Sequence, residues 1–176
     1  QTSVLVATDG VVVAAHQAEL LLGVASAFKL LVLHALNQEI VKGTLAWNDI
    51  ALLQEAHKSL PSGILQDWPA GTPLTLATLA HLMISISDNT ATDILIGVVG
   101  KETLEALSPI NAPFVTTGEL FRLKSRYNEA TIEAWINGSV EDRRSIVAGL
   151  ANDPLRADRQ LSRAIPEIEW FFSAFD

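Results

Sequence analysis

The chain has 176 residues, of which 49% are hydrophobic and 18% charged, and its formal net charge is −8. This length and apolar content suit a single domain over residues 1–176 with a core of its own. An acidic chain without a basic stripe is unsuited to binding nucleic acid. No apolar run is long enough for a membrane span, and the absence of cysteine excludes disulfides and thiolate metal sites.

Two β-branched segments open the chain. Residues 3–7 and 11–15 are apolar, and Asp9-Gly10 between them accepts the positive φ angles of a tight turn. These residues predict a β-hairpin. The chain begins at Gln1 and has no basic leader, so we expect a processed form or a piece of a longer protein.

After Gly23 the pattern becomes helical. Residues 26–40 are apolar nearly all round, which is typical of a buried helix, and Lys42-Gly43 is a stop signal. Trp47-Asn48-Asp49 indicates another helix start, whereas the prolines and glycines over residues 61–73 indicate a long loop. Residues 75–86 predict the next helix.

Three pairs with capping-box spacing predict helix starts farther along the chain. In such a box a hydroxyl and an acidic side chain each bond a free N–H group at the helix N-terminus. The pairs are Thr90 with Asp93, Thr116 with Glu119, and Ser139 with Asp142. Two groups of charged residues in this half of the chain are expected on solvated faces: Arg122, Lys124 and Arg126, and then Glu167, Glu169 and Asp176.

The segment Ser26-Ala27-Phe28-Lys29 stands where a loop meets the first predicted helix. Residues three apart share a helix face, about 5–6 Å apart at Cβ, so the Lys29 amine can reach the Ser26 hydroxyl. Burial among apolar neighbours lowers a lysine pKa, which would let Lys29 accept the Ser26 proton. The spacing by itself is a weak signal, because Ser26 could be only an N-cap and Lys29 a surface residue.

The triplet Ser87-Asp88-Asn89 directly follows the apolar end of the helix predicted over residues 75–86. Such residues are natural helix punctuation, and that interpretation fits Asp88 well. It fits Ser87 and Asn89 less well, because polar groups placed straight after an apolar segment need partners.

Together, the two motifs resemble those of the penicillin-recognising serine hydrolases, which include class A type β-lactamases and penicillin-binding transpeptidases. Residues 24–30 are similar to the nucleophile region of that family, and residues 79–91 are similar to its Ser-Asp-Asn helix and turn. The likeness extends from the hairpin to about Lys124. It implies an α/β (α+β) fold in which a helical lobe adjoins a larger antiparallel sheet that includes the N-terminal hairpin.

The resemblance also implies a role for each residue. Ser26 would form the acyl-enzyme on a β-lactam, peptide or ester, with its backbone N–H as half of an oxyanion hole, and Lys29 would be the base in acylation. Ser87 would relay a proton towards the leaving nitrogen, Asn89 would bind the substrate amide and contact Lys29, and Asp88 would hold the turn. The resemblance implies no metal or cofactor, and it implies a secreted or periplasmic location.

Two motifs of that family are missing. No Lys-[Ser/Thr]-Gly occurs in this sequence. In the family this motif lies on a later strand and recognises the substrate carboxylate. We therefore expect the C-terminal strands to lie outside this chain, in a further segment, a second fragment or a protomer that completes the sheet. The E-x-x-L-N loop of class A enzymes is also lacking, and Glu119, the tempting substitute for its glutamate, fits a helix cap better than a catalytic base.

These departures leave two alternatives to a working enzyme. One is a catalytically silent binding or assembly module that keeps the fold. The other is that both motifs are accidental helix caps in a helical domain. The second alternative requires Ser26 and Ser87 to lie far apart, because proton relay needs near hydrogen-bond reach.

Overall fold

Helices are the main regular secondary structure in the part of the chain that the computed structural model describes, which is residues 1–125, 129–150 and 165–176. The helices are α1 (Lys29–Lys42), α2 (Leu76–Ser85), α3 (Asn89–Val99), α4 (Lys101–Leu107), α5 (Thr117–Ser125), α6 (Glu129–Asn137) and α7 (Val140–Ala148). The strands are β1 (Val4–Thr8), β2 (Val11–His16), β3 (Leu22–Gly23), β4 (Ile50–Leu52), β5 (Pro73–Thr75) and β6 (Phe171–Phe172). They pair antiparallel as β1 with β2, β3 with β6 and β4 with β5.

The predicted N-terminal hairpin is confirmed. Asp9 and Gly10 both have positive φ, at 49° and 78°, as a tight turn between twisted strands requires. The register shifts between Val6 and Ala7, which marks a bulge in β1. Nearly every side chain of the hairpin is exposed, so the described residues cover neither of its faces.

The central helix is α3, and the prediction that residues 26–40 form a helix buried all round is wrong. Nine of the 11 residues of α3 are buried, whereas α1 leaves Leu30 61% exposed and Val41 78% exposed. Apolar composition did not distinguish the two helices, because it does not tell which faces the rest of the chain covers. The core therefore lies on one side of α1, where Val32 and Leu36 pack with side chains of α2 and α3.

Helix α1 also begins later than predicted. Residues Ala25–Phe28 form a 3₁₀ turn and α1 follows from Lys29, ending at Gly43 with φ 79°. The stop signal at Lys42-Gly43 is therefore confirmed. Two predicted capping boxes are confirmed as well: Thr116 and Glu119 bond reciprocally at the start of α5, and Ser139 and Asp142 do so at the start of α7.

One predicted helix start is wrong, and one predicted capping box does not form although its helix, α3, begins at Asn89 as expected. Trp47-Asn48-Asp49 precedes strand β4, because Ile50–Leu52 pairs with Pro73–Thr75 and leaves these residues in a turn. Thr90 and Asp93 do not form a capping box. The N-cap of α3 is Asp88, whose side chain accepts from the Ala91 N–H, and Asp93 bonds a different helix.

Candidate active site

Ser26 lies on the 3₁₀ turn at the head of α1, and pairing with the C-terminal strand holds that turn in place. Strand β3 pairs with β6, and the Val24 N–H donates to the Trp170 carbonyl at 2.9 Å. The Phe28 ring stacks on the Trp170 ring with centroids 3.6 Å apart. Ala25 has φ 46°, in a region that an alanine seldom adopts, and Ser26 itself is exposed.

The turn that carries Ser87 is fixed by Asp88. Its buried carboxylate accepts from the N–H groups of Ile64 at 2.7 Å, Leu65 at 3.0 Å and Ala91 at 2.9 Å. One side chain therefore ties the loop over residues 61–73 to the start of α3. Ser87 has φ 57°, and the three contacts of the next residue maintain this strained conformation.

Lys29 connects the two motifs. Its side chain is buried, with the residue 2% exposed, and the ammonium donates to Ser87 Oγ at 2.7 Å, to the Ser87 carbonyl at 2.7 Å and to Asn89 Oδ1 at 2.8 Å. Ser87 Oγ in turn donates to Ser26 Oγ at 3.0 Å. A continuous hydrogen-bond path thus runs from the Ser26 hydroxyl through Ser87 to the Lys29 amine.

This geometry contradicts the interpretation of both motifs as accidental caps. Ser26 is not the N-cap of its turn, and its hydroxyl meets a side chain 61 positions along the sequence. Lys29 is not a surface residue. Only Asp88 acts as a helix cap.

The environment of Lys29 suits a proton acceptor. Burial lowers the pKa of Lys29 to about 8, against the opposing effect of the negative charges of Asp93 and Asp88. At neutral pH a larger fraction of this amine is therefore unprotonated than in an exposed lysine.

A second buried network, centred on Asp93, lies behind the first. Asp93 accepts from the Thr117 N–H at 2.7 Å, the Thr117 hydroxyl at 2.7 Å and the Gly118 N–H at 2.9 Å, so it caps α5. The Thr117 and Ser59 hydroxyls lie 2.7 Å apart. Burial raises the pKa of Asp93 to about 6, although the hydrogen bonds from Gly118 and Thr117 oppose this. No local sequence pattern predicts these contacts.

A cavity of about 190 Å³ opens at Ser26. Its wall includes both polar and apolar side chains: Ser26, Pro61, Asn89, Thr117, Phe121, Lys124, Glu169 and Trp170.

Lys124 and Glu169 form a close ion pair in which the side chains are 8% and 16% exposed. The prediction of solvated faces is therefore wrong for these two residues, because tertiary packing joins them. The prediction of a solvated position is confirmed for Glu167 and Asp176, which are exposed. Arg122 is half-buried, and Arg126 lies outside the described residues.

Glu119, the acidic residue considered as a substitute base, lies in the first turn of α5. Glu119 bonds Thr116 and forms an ion pair with Lys101, so its carboxylate is occupied by structural partners. Among residues 1–125, 129–150 and 165–176, no group of three or more histidine or acidic side chains could hold a metal ion. Within the same residues, no helix is long and apolar enough to cross a membrane.

Family membership follows from residues 2–108, which match the model of the beta-lactamase enzyme family. This match covers more than half of the chain, and the chain belongs to that family. No curated protein sequence matches it.

Solved structures support the same fold. A β-lactamase from Sphaerobacter thermophilus DSM 20745 is 26% identical, with a TM-score of 0.54 over 85% of this chain and 61% of that one. A representative of class A β-lactamase from Bacteroides cellulosilyticus DSM 14838 is 20% identical, with a TM-score of 0.58 over 85% of this chain and 58% of that one. A mutant of PBP-A, in an acyl-enzyme complex with penicillin G, is 24% identical, with a TM-score of 0.52 over 56% of this chain and 38% of that one.

The predicted β-lactamase-type fold is thereby confirmed. The chain spans less than two thirds of each of these three solved chains. Its helices and small antiparallel sheets are part of that larger architecture.

Proposed function

We propose that this protein is a serine hydrolase that acts through an acyl-enzyme at Ser26, with a β-lactam, peptide or ester as substrate. The observation that carries the proposal is the path Ser26–Ser87–Lys29, with oxygen–oxygen and nitrogen–oxygen distances of 3.0 and 2.7 Å. Membership of the beta-lactamase enzyme family supports it.

Acylation proceeds by proton transfer along this path. With Lys29 unprotonated, the Ser26 O–H donates to Ser87 and the Ser87 O–H donates to the amine, the reverse of the direction with a charged ammonium. Ser26 Oγ attacks the substrate carbonyl carbon while its proton moves to Ser87 and the Ser87 proton moves to Lys29. Lys29 then returns a proton to Ser87, and the Ser87 proton passes to the leaving nitrogen or oxygen, which leaves Lys29 unprotonated again.

Substrate binding falls to Asn89 and the cavity wall. The Asn89 side chain accepts from Lys29 and donates to the Leu60 carbonyl at 2.9 Å, which leaves one of its two N–H donors for a substrate carbonyl. The Ser26 N–H, at the N-terminal end of its turn, is the first donor to the oxyanion.

The second oxyanion donor and the group that recognises a substrate carboxylate come from polypeptide outside this chain, in a further segment, a second fragment or a protomer. Three observations support this part of the proposal. The sequence has no Lys-[Ser/Thr]-Gly, the chain spans 58–61% of the two β-lactamases described above, and α1 and the hairpin leave large apolar side chains exposed. A secreted or periplasmic location fits such a hydrolase.

The test is covalent labelling of the intact protein with a fluorescent penicillin and a fluorophosphonate, read by intact mass and peptide mapping. We expect one adduct, on Ser26, which the Ser26→Ala variant does not form. The exposed Ser85 near the other motif provides a matched control, because Ser85→Ala should label like the wild type. A folded intact protein that forms no adduct with either probe would instead identify a catalytically silent module.

A further inference from the structure

Glu169 is a half-buried acid at the candidate site, and no local sequence pattern indicates this position. It directly precedes Trp170, whose carbonyl accepts from Val24 and whose ring stacks on Phe28. A side chain on Gly23 would come within 3.3 Å of Glu169 Cβ, so the backbone of β3 lies against it. Glu169 is therefore held by the same strand pairing that positions Ser26.

The carboxylate of Glu169 is only partly engaged. Lys124 donates to Oε1, and Oε2 accepts no hydrogen bond from any residue in the described part of the chain. The side chain keeps 16% exposure and lines the cavity at Ser26. One oxygen is thus fixed by an ion pair while the other is able to accept a proton from a molecule in the cavity.

The carboxylates of the other acids near the site are occupied by structural hydrogen bonds or ion pairs. Asp88 and Asp93 each accept three hydrogen bonds that hold helix starts, and Glu119 bonds Thr116 and Lys101. Among the described residues that line the cavity, Glu169 is the one acid. The cavity has a volume of about 190 Å³, which leaves room for water beside Glu169 and Ser26.

We propose that Glu169 is the general base of deacylation, the acid that activates the water which hydrolyses the acyl group on Ser26. The inference rests on the proposed function, since it needs an acyl-enzyme. The water oxygen bonds to the acyl carbonyl carbon while one water proton moves to Glu169 Oε2. The tetrahedral intermediate then expels Ser26 Oγ, which takes up the proton held by Glu169, and the carboxylic acid product leaves. Glu169 is thereby restored as a carboxylate, and Lys29 remains unprotonated. Lys124 is a positioning residue that orients the carboxylate.

The test compares the lifetime of the Ser26 adduct in Glu169→Gln with that in the wild type. The amide has nearly the same shape but does not accept the proton, and general base catalysis contributes about 10²–10⁴-fold. We expect a lifetime longer by at least about 100-fold, with the rate of adduct formation unchanged within about threefold. Deacylation in the wild type should also slow in D₂O, and this isotope effect should diminish in the variant.

Glu167→Gln is the matched control, because Glu167 is exposed two positions away and does not line this cavity. It should leave the adduct lifetime unchanged. Glu169→Asp retains the charge for Lys124 but withdraws the oxygens by one methylene, and it serves as the test if Glu169→Gln does not fold. A longer adduct lifetime in Glu169→Asp supports the assignment, and an unchanged lifetime overturns it. Adduct formation with normal turnover in folded Glu169→Gln refutes the role of Glu169 and leaves the acyl-enzyme proposal intact. Absence of any wild-type adduct overturns both.

Discussion

The rate of acylation should depend on pH through Lys29. With a pKa of about 8, the unprotonated fraction of this amine is about one half at pH 8, about a tenth at pH 7 and about a hundredth at pH 6. Because only the unprotonated amine can accept the Ser26 proton, acylation should rise nearly tenfold per pH unit below 8 and level off above it. An unshifted pKa of 10.5 would leave only about 0.03% unprotonated at pH 7, so burial increases the reactive fraction roughly 300-fold.

The assay is the stopped-flow rate of adduct formation with a fluorescent penicillin between pH 5.5 and 9. Lys29→Arg tests the same reasoning independently, because a guanidinium keeps the charge and the donors but does not lose its proton. We expect it to slow acylation by at least about 100-fold. Lys42→Arg, at the exposed end of the same helix, should have no effect. A rate that stays constant from pH 6 to pH 8, or a Lys29→Arg variant that acylates normally, would contradict the role of Lys29 as the base in acylation.

Three further outcomes follow from individual contacts. Ser87→Ala removes the link from Ser26 to Lys29, so labelling of Ser26 should slow by about 100-fold while the melting temperature changes little; labelling at the normal rate would contradict the relay. Gly63→Ala puts a Cβ against the Asp88 carboxylate, whereas the Cβ of Gly71→Ala meets nothing within 4 Å. In urea unfolding, Gly71→Ala should lower the free energy of unfolding by about 1–2 kcal/mol because of its positive φ, and Gly63→Ala should lower it by clearly more. Asp93→Ala leaves three donors at the start of α5 without their acceptor and should cost about 3 kcal/mol in the same measurement; a loss below about 1 kcal/mol would contradict the capping role.

Local sequence was sufficient for features whose causes are local. Asp9-Gly10 determined a turn, Gly43 determined a helix end, and Ser139 with Asp142 determined a helix start, because each depends on φ preferences or on hydrogen bonds within a few residues. The same reasoning placed Lys29 one turn from Ser26. It also singled out the Ser87 turn, but it could not supply the distance between the two motifs.

The failures occurred where distant segments compete for the same residue. Asp93 had the spacing to cap its own helix, yet its carboxylate bonds Thr117 and Gly118, more than 20 positions away. The residues after Trp47 form a strand because Pro73–Thr75 offers a partner.

The order of residues was thus enough to predict the hairpin, several helix ends and the residues of the two motifs, since these depend on neighbours along the chain. The folded arrangement was needed to bring Ser26, Lys29 and Ser87 onto one hydrogen-bond path and Glu169 to the same cavity. These arrangements depend on which buried charges and apolar faces meet across the core, and residue order does not encode that information locally.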